Sequence, residues 1–218
     1  MRIAFFDLDK TLISRNSAAL WVRAELAAGR ATRWQALKAF GWVLRYNLGA
    51  ADMTEPIRRS VLLLAGQRED EMSTRVNQFY ADIVRPLYRP GAVAAVGEHR
   101  AAGDRLVLLT SSSNYMCELV RRDLGFDDYI CNRFEVDNDG CYTGRAIEPL
   151  CFGPGKVVLA ERYVAQHAAQ LRDAVFYTDS HSDVPVLECV GHPVAVNPDP
   201  RLRRHARRKH WKVVDWDG

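Results

Sequence analysis

No stretch of this 218-residue chain is apolar for long enough to cross a bilayer. A secretory leader is not expected either. The apolar run Ile3–Phe6 is short and stops at Asp7-Leu8-Asp9-Lys10. The five cysteines, Cys117, Cys131, Cys141, Cys151 and Cys189, are odd in number and scattered. None of them forms a Cys-x-x-Cys pair, which argues against zinc and thioredoxin-like chemistry. Reduced thiols in a cytoplasmic protein are the expectation. Net charge is also scarce, at +3, so the balance alone calls for neither nucleic acid nor an anionic membrane. Internal repeats and low-complexity tracts are missing.

What is present is ordinary for a globular protein: 48% hydrophobic and 26% charged residues. A chain of this length buries a core without disulfides or structural zinc. It suits one α/β domain with an insertion, or a medium domain plus a small one.

Short apolar runs that end abruptly in polar residues read as buried strands of a parallel sheet. They are Ile3–Phe6, Arg105–Leu109, Ala174–Tyr177, Pro193–Val196 and, more weakly, Trp211–Asp215. Helical patterns at Glu118–Leu124, Lys156–His167 and Val184–Cys189 alternate with them, which implies βαβ crossovers. In open parallel sheets, ligands bind where the strands end.

Two segments break the alternation. Residues 14–88 contain helical pattern and no clear strand, too long for a loop. They read as an inserted helical cap, with 1–13 and 89–218 as the α/β core and Pro86 and Pro90-Gly91 marking the return. The second is Arg133–Val136 and Cys141–Gly144 around Asp137-Asn138-Asp139-Gly140, which reads as a hairpin.

The chemistry-bearing residues fall at strand ends. Asp7 and Asp9 lie two apart, so their side chains share one side if the strand continues. Paired carboxylates repel unless a cation or proton lies between them. Oxygen-only ligands suit Mg²⁺ or Ca²⁺ rather than zinc. Asp179 and Asp183 form a second pair at a strand-to-helix junction. Taken singly, each pair also fits a solvated turn or a helix start. Thr110-Ser111-Ser112-Ser113-Asn114 leads into a helix and fits a phosphate site or plain N-capping. Lys156 follows Gly153-Pro154-Gly155, but Leu150 and Val157 occupy the flanking positions that a P-loop reserves for Gly and Ser/Thr. It can still place a cation near a phosphoryl group.

Together these stretches resemble the haloacid dehalogenase superfamily of phosphatases. Asp7-Leu8-Asp9-Lys10-Thr11 is similar to its first motif, Thr110 to its second and Lys156 to its third. Tyr177-Thr178-Asp179-Ser180-His181-Ser182-Asp183 is similar to the fourth, with Thr178 where glycine is usual. Order and spacing match over nearly the whole chain. The insertion and the hairpin are closest to the phosphoserine-phosphatase-like subgroup. The resemblance implies a Rossmann-like α/β core with a helical cap, and an Mg²⁺-dependent phosphomonoesterase. Asp7 would be the nucleophile and Asp9 the general acid and base. Thr110, Ser111 and Lys156 would hold the phosphate. Asp7, Asp179, Asp183 and the carbonyl of Asp9 would serve the metal. Asp9 favours a phosphatase over the transporting ATPases and dehalogenases of this fold.

The expected partner is a small phosphate ester and not nucleic acid. Subgroup members act on phosphoserine, histidinol phosphate or lysophosphatidate. Asn16 stands where serine-specific members have a glutamate for the substrate amine, which disfavours phosphoserine. Arg58 and Arg59 are candidates for meeting a substrate carboxylate or second phosphate, or for a solvated helix face. The stretch Trp34–Tyr46 reads as cap core in preference to a lipid surface. The basic cluster Arg201, Arg203, Arg204, Arg207, Arg208, Lys209 and Lys212 reads as a solvated face in preference to a nucleic-acid or lipid patch. A non-catalytic phosphate- or lipid-binding module and a phosphotransferase are the competing functions.

Overall fold

The run Ile3–Phe6 forms strand β1, and every residue of it is buried. It lies inside a six-stranded sheet of order β3-β2-β1-β6-β7-β8 in a computed structural model, which describes residues 1–30, 41 and 54–217. The other strands of the sheet are β2 (Arg105–Ser113), β3 (Asp128–Asn132), β6 (Val175–Thr178), β7 (His192–Val196) and β8 (Lys212–Val214). All pair in parallel. Burial on both faces explains why these strands are continuously apolar instead of alternating.

The period of two divides their side chains between two cores. Ala4, Phe6, Leu106 and Leu108 pack with α4 (Pro90–Ala101) and α5 (Asn114–Leu124). Ile3, Phe5, Val107 and Leu109 pack with α6 (Pro154–Gln166), α7 (Val184–Leu187) and α8 (Pro200–Lys209). Helices therefore cover both faces, and the sheet's polar edge is left at the strand ends.

Between β1 and β2 the chain forms α1 (Ser17–Ala27), α2 (Thr54–Leu62) and α3 (Glu69–Phe79). A π-helical turn, Tyr80–Val84, and a 3-10 turn, Arg85–Leu87, lead back to the sheet. Pro90 occupies the first turn of α4, where its missing N–H costs nothing. The Trp34–Tyr46 stretch lies outside the described residues apart from Gly41.

The expected hairpin is present as β4 (Phe134–Val136) and β5 (Tyr142–Ala146), antiparallel. Its turn is held by Asp137, whose Oδ1 accepts from the amides of Asp139 at 3.0 Å and Cys141 at 2.9 Å. Gly140 there has φ +78°, a conformation that suits glycine. Backbone bonds join the hairpin to the turn between α2 and α3: Gly66 N–H to Tyr142 O, Tyr142 N–H to Gln67 O and Glu69 N–H to Gly140 O.

Three elements differ from the sequence reading. Strand β2 runs on to Ser113 instead of stopping at Leu109, with an irregular register against β3. Strand β3 carries no strong apolar run: its first three residues are half-buried, as befits a sheet edge. Helix α4 shows almost no one-sided apolar stripe, because small residues such as Ala92 and Ala95 form its buried face. The five cysteines are free, and among the described residues no helix is long and apolar enough to cross a membrane.

Phe176, fully buried in β6, anchors the second core. Phe176→Ala is expected to destabilise the protein by about 3–5 kcal/mol, measured by denaturant unfolding.

Candidate active site

The carboxyl ends of β1, β2 and β6 open into a cavity of about 450 Å³. Asp7 follows β1 directly, and its amide still bonds in strand fashion to the Tyr177 carbonyl at 2.9 Å. That bond keeps the side chain aimed over the edge. Lys156 projects from the first turn of α6 and is 2% exposed. Its Nζ donates to Asp7 Oδ1 at 3.1 Å and to Asp183 Oδ2 at 2.8 Å. Thr178 Oγ1 also donates to Asp183 Oδ2, at 2.7 Å. Three segments far apart in sequence are thus tied at one ammonium group.

Five more of the residues named from the sequence arrive at the same place. Asp9, Thr110, Ser111, Asp179 and Asn16 all line the cavity. Asp179 is held by its amide, which donates to Thr11 Oγ1 at 3.0 Å. Asp9 Oδ1 accepts from the amide of Ser17 at 2.7 Å. Asn16 caps α1, accepting from Ala19 N–H at 2.9 Å, while its amide nitrogen reaches Asp9 Oδ2 at 3.5 Å. The carboxylate of Asp9 therefore sits against the positive end of α1.

Arg58 is not brought to this cavity. Its guanidinium pairs with Glu148 at 2.8 Å, and it is about half exposed. Arg59 pairs with Glu55 one helical turn away. The physical reason is that both point from α2 toward solvent, the alternative left open by their helical spacing. Of the basic cluster, Lys209 pairs with Glu188, and no member lines the cavity.

Asn132, at the end of β3, is a residue that sequence reasoning passed over. It is 2% exposed and lines the cavity. Its Nδ2 donates to the carbonyl of Ser111 at 2.7 Å, and its Oδ1 accepts from the amide of Cys151 at 2.8 Å. Ser111 Oγ closes the loop by donating to the Cys151 carbonyl at 2.8 Å. One amide thus locks the end of β2 to the segment that leads into α6. In that segment Gly155 has no room for a side chain: a Cβ would lie 2.0 Å from the Leu150 carbonyl oxygen. A polar residue at the end of a weakly apolar strand was the available signal for Asn132.

Electrostatics reflect the crowding of carboxylates. Burial pushes Asp7 up to about 7, with Lys156 opposing and Asp183 and Asp9 adding to the rise. Burial also raises Asp9, against the hydrogen bonds from Ser17. Asp179 is raised by burial and by Asp7. For Lys156 burial acts to lower the value, but Asp183 and Asp7 outweigh it and hold the ammonium charged.

The sequence profile of the haloacid dehalogenase-like hydrolases matches residues 4–188. The chain belongs to this family. The histidinol-phosphatase of Neisseria meningitidis serogroup C (strain 8013) is 29% identical over 98% of each chain. A Bordetella pertussis Tohama I protein of unknown function has a crystal structure that superposes with a TM-score of 0.88. It is 33% identical and is matched over 99% of this chain and 98% of that one. A phosphoserine phosphatase, solved as an analogue of its phospho-aspartyl intermediate, shares the fold at a TM-score of 0.74. Its identity is 17%, over 100% of this chain and 93% of that one. The fold is thus shared with these solved structures.

Two outcomes follow from the buried charges. Lys156→Met leaves carboxylates without a partner and should cost about 3–5 kcal/mol at pH 8. The loss should shrink at pH 5, where protonation relieves them; denaturant melts at both values test this. In the wild-type protein with EDTA, Asp7 favours the folded state most below its ordinary value of 3.8. That contribution fades as pH rises through about 7, so Tm should fall across this window.

Proposed function

We propose that the protein is an Mg²⁺-dependent phosphomonoesterase that works through an aspartyl phosphate on Asp7. The observation that carries this reading is the buried Asp7–Lys156–Asp183 cluster opening into a cavity beside Asp9 and Thr110. Residues 14–88 are taken as a cap over a core formed by 1–13 and 89–218.

The donor set fits magnesium. It is all oxygen, and Asp183 Oδ1 is buried without a hydrogen-bond partner. Among the described residues no three ligating side chains converge on one point. Magnesium takes one or two carboxylates and completes its shell with water and phosphate oxygens. Asp7, Asp179 and the carbonyl of Asp9 would hold it, with Asp183 directly or through water. When bound, Mg²⁺ offsets the repulsion between an anionic nucleophile and an anionic phosphate.

The chain's own groups then divide the work. A carboxylate oxygen of Asp7 attacks phosphorus, forming the Asp7 O–P bond as the P–O bond to the alcohol breaks. Asp9 donates its proton to the departing alkoxide. Burial favours the protonated form of Asp9 that this step requires. Water next attacks phosphorus while Asp9 takes a proton from it, releasing phosphate and restoring Asp7. Thr110, Ser111 and Lys156 hold the phosphoryl oxygens, and Lys156 balances their charge. The substrate is a small phosphate monoester. The Neisseria histidinol-phosphatase, matched along its length, supports that class.

With Mg²⁺ the protein should hydrolyse p-nitrophenyl phosphate, and EDTA should stop it. Asp7→Asn should lower kcat by at least about 10³-fold while leaving the circular dichroism spectrum intact. Mg²⁺ should raise Tm more at pH 8 than at pH 5, because it replaces protons that are already absent at pH 8. Turnover by Asp7→Asn at the wild-type rate would overturn the reading.

A further inference from the structure

Given the phosphatase reading above, we propose that the alcohol this enzyme releases is hydrophobic, its chain filling the apolar part of the active-site cavity. The cavity has two chemically distinct ends. Among the described residues, every charged side chain in its lining (Asp7, Asp9, Lys10, Lys156, Asp179 and Asp183) belongs to the catalytic edge or the turn just after β1. The far wall comes from the helical insertion and, Ser17 and Ser60 apart, is apolar: Trp21 of α1, Ile57 and Val61 of α2, Leu64 beyond it, and Met72 and Phe79 of α3. Trp21 and Phe79 pack edge-to-face there, ring centroids 5.1 Å apart.

Substrates bearing an ammonium or carboxylate beside the phosphate need a charged or strongly polar partner for it, because burying an unpaired charge is costly. The described wall offers no charged partner, and its hydroxyls are Ser17 and Ser60, the latter donating to the Pro56 carbonyl at 2.9 Å. The insertion's buried carboxylate, Glu25, does not line the cavity and is neutralised by Arg30 and Arg75, each at 2.8 Å. Glu69 accepts from the Tyr115 hydroxyl at 2.7 Å and lies outside the lining. Arg58 is engaged by Glu148. Asn16 has its amide divided between Ala19 and Asp9. Interiors leave few voids larger than a water molecule. The apolar part of the cavity is a chamber that opens onto the nucleophile, and it is therefore a binding site for an apolar group.

The test measures kcat/KM with Mg²⁺ for straight-chain alkyl phosphates from ethyl to octyl. O-phosphoserine, histidinol phosphate and p-nitrophenyl phosphate are run alongside. Values should rise along the alkyl series by up to about fourfold per methylene until the chamber is full. Octyl phosphate should exceed both amino-alcohol phosphates. Ile57→Asp, on the apolar wall, should depress octyl phosphate at least about tenfold more than ethyl phosphate. That ratio is insensitive to a partial loss of folded enzyme. A flat series, or preference for phosphoserine or histidinol phosphate, overturns the inference; continued cleavage of p-nitrophenyl phosphate then leaves the phosphatase reading standing. If no ester is cleaved, p-nitrophenyl phosphate included, both fall.

Discussion

A single buried ammonium group holds this active site together. Lys156 is almost wholly buried, and its charge is tolerated because Asp7 and Asp183 meet it at hydrogen-bond distance. The dependence is mutual, since those carboxylates would otherwise be buried anions. Neither side of the bargain is cheap, and buried ion pairs are poor devices for stability as such. The arrangement is better understood as a device for position. It brings the end of β1, the start of α6 and the turn after β6 to one point, with the carboxylates still in excess and one oxygen of Asp183 unsatisfied.

The scaffold around that point is apolar and rigid. Strand β1 lies between β2 and β6, so its end cannot shift without disturbing two parallel ladders. Asn132 and Ser111 hold the end of β2 to the segment before α6. Asp9 is the exception, since its partner is the N-terminus of α1, in the insertion. In the proposed mechanism, an acid held by the insertion would couple proton transfer to the placement of that helix. The same insertion supplies the apolar wall, so under the proposed mechanism one segment would bear on both the leaving-group proton and the leaving group itself.

Much of this was legible in the chain. Ile3–Phe6, Arg105–Leu109 and Ala174–Tyr177 announce themselves because a strand buried on both faces needs apolar residues at every position. The Asp137–Gly140 turn is readable because its hydrogen bonds are local. Strand β3 was not legible: at the sheet edge Asp128, Tyr129 and Ile130 are only half-buried, so the pattern weakens. Helix α4 escaped for a related reason, as alanines on its buried face carry little hydrophobic signal. For Arg58 the sequence left a substrate contact and a solvated helix face both open, and its side chain finds Glu148 90 residues away.

The sequence alone determined which chemistry is available: the acidic pairs, the lysine and the hydroxyl cluster each sit where an apolar run breaks off, and local pattern suffices to see that. Only the tertiary structure decided that Lys156 is shared between Asp7 and Asp183, that Asp9 rests on α1, and that the wall facing them is apolar. Those facts depend on contacts between residues up to 149 positions apart. Such contacts are chosen by packing and by the cost of leaving charge unpaired in a dry interior, which no short stretch of chain encodes.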